Sequence, residues 1–173
     1  MALAPPADVL ADVAAALGPA RELQPDLRWI PVERWHLTLA FYGDVPDESL
    51  PGVIDLVERK LSRGPPSEPI ELSFSGAGQF SRRALWVGVD GDVDRLRALA
   101  RSVTTDRRPY RPHLTVARLR GAQDASRAVE ALTSYAGPPW RAETVHLVRS
   151  FLGPKPRYET VGSWPATGRV PES

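Results

Sequence analysis

Two of the three histidines in the chain stand in nearly identical settings, His36-Leu37-Thr38-Leu39-Ala40 and His113-Leu114-Thr115-Val116-Ala117. Side chains alternate faces along a strand. His36, Thr38 and Tyr42 would therefore share one face while Leu37, Leu39 and Phe41 line the other. The same parity joins His113 to Thr115 above Leu114 and Val116. A single His-x-Thr is an ordinary solvated strand face; the duplication is what points to chemistry. Two imidazoles with ordinary pKa values near 6.5 offer one general base and one general acid around neutral pH. Two hydroxyls beside them can donate to phosphate oxygens where charge develops. In-line displacement at phosphorus fits such a set. His146, in Val145-His146-Leu147-Val148, lacks a following Thr and reads as a structural strand residue.

The rest of the composition narrows the mechanism. A chain of 173 residues with 42% apolar and 25% charged residues fits one compact globular unit. With no Cys there is no disulfide framework, thiolate metal site or cysteine nucleophile. Three His without Cys, and without a His-Glu-x-x-His helix, make a complete metal site hard to assemble, so no metal is expected. The formal charge of +1 does not describe a polyanion-coating protein, and 20 Arg against 2 Lys fits GC-rich coding better than phosphate recognition. Apolar runs are short and Met1 to Val13 has no leader pattern. The expectation is a cytoplasmic monomer with no membrane contact.

The elements that must position these residues follow from periodicity. Val9, Leu10, Val13 and Leu17 predict a helix over Asp8 to Leu17, stopped by Gly18-Pro19. Strands are predicted at Leu27 to Ile30 and Trp35 to Gly43. A helix from Asp47 carries Leu50, Val53, Ile54, Val57 and Leu61 and ends at Gly64-Pro65-Pro66. Ile70 to Phe74 and Ala84 to Val89 read as neighbouring strands joined by a Gly-rich, Arg-bearing connection. A helix from Asp92 to Val103, a strand from His113 to Leu119, a helix from Ser126 to Tyr135 and strands at Thr144 to Leu152 and Tyr158 to Trp164 complete the domain. Residues 1–164 form that domain and 165–173 a loose tail. Helix, His-Leu-Thr strand, helix and strands occur twice, which implies two similar lobes. The class is α+β with antiparallel sheets.

The paired motifs, together with Leu27-Arg28-Trp29-Ile30-Pro31 and the flanks Arg111-Pro112 and Ala117-Arg118, resemble the two-histidine phosphoesterase superfamily. The likeness is strongest to its RNA 2',3'-cyclic phosphodiesterases, historically called 2'-5' RNA ligases, and extends from Pro5 to about Trp164. It implies two pseudo-symmetric lobes around a central cleft, with helices outside. It also implies cofactor-independent cleavage of a nucleotide phosphodiester, with RNA or a nucleotide bearing a cyclic phosphate end as the partner. His113 would act as base toward water and His36 as acid toward the 3' oxygen. Arg118 occupies the Arg position of the second motif, which strict alternation would turn away from His113, so a bulge or a strand end near Ala117 is required. The family opens with a hydrophobic strand before the segment matching Ala2 to Pro6, whereas Met1 stands almost where that strand ends; one sheet is expected to be short. The stretch Thr104 to Pro112 is also short for the family.

Arg107, Arg108, Tyr110 and Arg111 form a basic, aromatic approach to the second motif that could hold an RNA backbone and stack a base, or be a solvated loop. Arg82 and Arg83 raise the same question. Other readings of the whole chain are a phosphodiesterase for a 2'-5' oligonucleotide or ADP-ribose cyclic phosphate, and a non-catalytic RNA-end binder.

Overall fold

Residues 1–63, 68–81, 83–104, 106, 108–121, 123–151 and 157–167 are described in a computed structural model. The expectations for Arg82, Arg107, Gly64-Pro65-Pro66, the connection through Gly153 to Pro156 and the end of the tail lie outside them.

The strands are β1 Ala2–Leu3, β2 Arg28–Trp29, β3 Leu37–Thr38, β4 Ile70–Phe80, β5 Ala84–Gly91, β6 His113–Arg118, β7 Trp140–Ala142, β8 Thr144–Phe151 and β9 Arg157–Pro165. The helices are α1 Ala7–Ala16, α2 Gly18–Leu23, α3 Leu50–Ser62, α4 Val93–Val103 and α5 Ser126–Ala131. Among the described residues all pairings are antiparallel and form one nine-stranded sheet, in the order β7-β4-β5-β6-β3-β1-β8-β9 with β2 added to β6. This is the expected α+β class. The two lobes are the two halves of a continuous curled sheet, meeting at the β3–β6 seam.

The alternation at that seam sends Leu37 and Leu114, both 0% exposed, to the packed face. There they join Leu3, Leu85, Val87, Val116 and Val145 from the sheet, and Val13, Leu61, Leu96 and Leu99 from the helices. The helices cover this face, so the residues that flank the leucines, the motif His and Thr, are left on the other.

Several local expectations change. Gly18-Pro19 does not end helical structure; Pro19 sits in the first turn of α2, where its missing N–H is not needed. The strand predicted over Trp35 to Gly43 contracts to Leu37–Thr38, because the N–H groups of Leu39 and Ala40 both donate to the Met1 carbonyl and the ladder stops. Alternation fails beyond that point: Leu39 is 3% exposed as expected, but Phe41 is 81% exposed instead of lining the core. The connection after Phe74 is largely strand, since β4 continues through a bulge at Gly76 to Phe80. Helix α5 stops short of Tyr135, and β7 was not anticipated. β9 runs to Pro165, and fully buried Ala166 donates its N–H to Glu143 O, so the chain stays attached past the expected start of the tail.

Candidate active site

Pairing of Leu37 with Leu114 fixes the centre of the site. The same antiparallel register sets Thr38 across from His113 and His36 across from Thr115. Opposed residues project to one face, so the four side chains make a square with the imidazoles on one diagonal, their Cα atoms about 7–8 Å apart. That gap suits a phosphate group between the rings.

The local sequence orients each ring in the same way. His36 Nδ1–H donates to Arg34 O at 2.8 Å, and His113 Nδ1–H donates to Arg111 O at 2.7 Å. A carbonyl only accepts, so the proton of a neutral ring stays on Nδ1 and Nε2 is left to take or give one. In the first motif the acceptor belongs to a 3-10 turn, Val32–Arg34, followed by buried Trp35, whose Nε1–H donates to Ile30 O at 3.0 Å. In the second, Pro112 fixes its own φ and favours an extended Arg111. Each ring also meets an aromatic edge-on: Tyr158 at 5.9 Å for His36, Phe80 at 4.8 Å for His113, with Trp86 at 6.5 Å from His113. Gly78 makes the Trp86 position possible, since a Cβ there would lie 2.3 Å from the indole.

Of the two ways to turn Arg118 toward the His113 face, a bulge is present. Leu85 pairs with Ala117 but Trp86 pairs with Thr115, leaving Val116 as the extra residue of β6. Val116 and Ala117 are consequently both buried, and alternation resumes with exposed Arg118. The Arg118 charge reaches His36. Burial pushes the His36 pKa below its ordinary value; the Arg34 carbonyl raises it in part, and the Met1 ammonium and Arg118 lower it further. That ammonium donates to Ala40 O at 2.8 Å, and burial lowers its own pKa to about 6.

A cleft of about 1110 Å³ opens from this square, bordered by His36, Thr38, Tyr42, Ala2, His146 and Tyr158 among others. It is far roomier than a phosphate requires and lies slightly above the ~300–1,000 Å³ usual for small-ligand sites. His113 and Thr115 stand outside its lining, on the flank closed by Phe80 and Trp86.

Not every expected contact is available in the form foreseen. The Tyr42 ring borders the cleft, but its hydroxyl donates to Val103 O at 2.6 Å, and burial raises its pKa. Tyr110 is no open stacking platform: its ring packs against the core and its hydroxyl is buried without a partner among the described residues, with its pKa pushed up by burial. Arg108 is bound to Asp106 through Nε and Nη2. Arg111 is exposed, and its carbonyl is the group that holds His113. His146, set aside as structural, lines the cleft. Tyr158 and Phe41 also line the cleft; no motif marks them, and only the pairing of β9 with β8 and the early end of β3 place them there. Among the described residues no three His, Asp or Glu side chains gather as a metal site requires, and no helix is long and apolar enough to cross a membrane.

A sequence model of the 2'-5' RNA ligase superfamily matches residues 5–151. An RNA 2',3'-cyclic phosphodiesterase of Geobacillus stearothermophilus is 32% identical over 166 residues, 87% of this chain and 51% of the relative. The protein of that name in Methanothermobacter thermautotrophicus is 32% identical over 143 residues, 74% of this chain and 76% of the relative. The chain thus spans 51% of the length of the first and 76% of the second. The structure of E. coli LigT complexed with 3'-AMP superposes with a TM-score of 0.71, covering 95% of this chain and 94% of that one at 21% identity, a likeness of fold.

Proposed function

The chain belongs to the 2'-5' RNA ligase superfamily, and from that premise we propose that it hydrolyses 2',3'-cyclic phosphate ends of RNA or oligonucleotides to 2'-phosphates, without a metal ion. The observation that carries this reading is the diagonal pair of imidazoles, each held by a carbonyl two residues earlier. Curated relatives named RNA 2',3'-cyclic phosphodiesterase support the substrate class, and E. coli LigT complexed with 3'-AMP supports a nucleotide in the cleft.

In this reading the cyclic phosphate lies between the rings. His113 Nε2 takes a proton from water as its oxygen attacks phosphorus; the bond from phosphorus to the 3' oxygen breaks; His36 Nε2 gives its proton to that oxygen. The product keeps the phosphate on the 2' oxygen. One His ends protonated and the other neutral, and exchange with solvent resets them. Thr38 and Thr115 donate to the non-bridging oxygens, and Arg118 adds positive charge. His36 must carry its proton although burial disfavours it, and the negative diester beside it provides the compensation. The protein works as a cytoplasmic monomer.

The test is hydrolysis of a nucleoside 2',3'-cyclic phosphate in excess chelator, with products resolved against both standards. The 2'-phosphate is expected. Predominant 3'-phosphate would exchange the two histidine roles, and dependence on added metal would sink the mechanism.

A further inference from the structure

His146 has no part in that mechanism, yet the sheet brings it to the same surface. Ala2 pairs with Thr38 on one side and His146 on the other, and His146 pairs with Ser163. Directly opposed residues share a face, so Thr38, Ala2, His146 and Ser163 form a row across β3, β1, β8 and β9. Two strand spacings put the Cα atoms of Thr38 and His146 about 10 Å apart. Between them in the row stands the methyl of Ala2, and all three residues border the cleft.

The direction matters. On the β5 side of the catalytic square, Phe80 and Trp86 close against His113. The space for the remainder of a substrate lies on the other side, over Ala2 toward His146. That ring is fixed in place: its Nδ1 lies 2.8 Å from Ser163 Oγ, which leaves Nε2 for the cleft. With the Ser163 hydroxyl donating to Nδ1, Nε2 carries a proton and acts as a donor. An imidazole held by a hydroxyl thus stands about one nucleotide away from the catalytic square.

We propose that His146, oriented by Ser163, binds the phosphate on the 5' side of the terminal nucleotide and so selects substrates in which that phosphate is present. This inference rests on the proposed function and adds to it: oligonucleotide ends and 5'-phosphorylated cyclic nucleotides are the favoured class, and nucleoside 2',3'-cyclic phosphates are poor substrates. His146 is then a specificity residue, with Ser163 as its positioning residue.

The experiment compares kcat/KM for adenosine 2',3'-cyclic phosphate with that for its 5'-phosphorylated form. One hydrogen bond to a charged group predicts a preference of about tenfold or more for the latter, read mainly in KM. His146→Gln should bring the ratio below about threefold, and exposed Ser163→Ala, which carries little folding risk, should lower it part of the way. Absence of the preference in the unaltered protein, or its survival in His146→Gln, overturns the proposal. If neither cyclic phosphate is turned over, the proposed function fails by itself. Calorimetry with adenosine 2',5'-bisphosphate against the 2'-monophosphate still decides the subsite, and equal affinities would refute it.

Discussion

His113 opens a six-residue strand paired on both sides, whereas His36 precedes a two-residue strand and hangs from a 3-10 turn. The two supports share little beyond the acceptor two residues back and an aromatic edge at the ring. Those shared features are the ones proton transfer needs: a fixed tautomer and a fixed ring direction. Surroundings are where the halves diverge. His36 looks into the cleft, with the Met1 ammonium and Arg118 acting on its charge, and His113 stands against Phe80 and Trp86. Like motifs can thus be given unlike partners, which is what the proposed division into one acid and one base requires.

The strongest challenge to this comparison removes each half in turn. His36→Ala and His113→Ala should each lower kcat by about 10²–10⁴-fold, with the double variant little worse than either single one, since both serve one transition state. Multiplicative losses would mean two independent sites. Replacing the hydroxyls comes next: Thr38→Val and Thr115→Val should each cost roughly tenfold to a thousandfold. Unchanged rates in both would remove the threonines from the phosphate site.

The smallest effect is the most informative about the asymmetry. His36 has a lowered pKa, so in the free protein it loses its proton below the ordinary imidazole value. As the acid it must be protonated, and the alkaline limb of kcat/KM should therefore fall below about pH 6.5. Arg118→Gln removes one of the charges holding it down, so the limb, and the His36 titration followed by NMR, should both move upward. A downward or absent shift would separate Arg118 from His36.

Much of this was legible because it depends on parity. The His-x-Thr repeat on one face, its leucines in the core and the need for a bulge or strand end before Arg118 all follow from alternation along β3 and β6. The losses occur where alternation stops. After Thr38 two amides converge on one carbonyl, and the exposure of Phe41 cannot be read from its neighbours. Tyr110 was misread because a basic loop in sequence can still turn its aromatic ring inward. His146 was overlooked for a different reason: its meaning comes from Ala2 and Ser163, partners supplied by the two ends of the described chain, and no local pattern records them.

The strand order carries a consequence for how the protein is made. β1 pairs with β8, so one wall of the cleft waits for a strand that emerges from the ribosome long after the first motif. Such distant pairing raises contact order and slows folding, and domains generally fold as units during synthesis. A nascent chain long enough to include both histidines would still lack β8 and β9. It would hold the motif histidines without the β8 wall that carries His146, so the cleft is completed only when the last strands have been made.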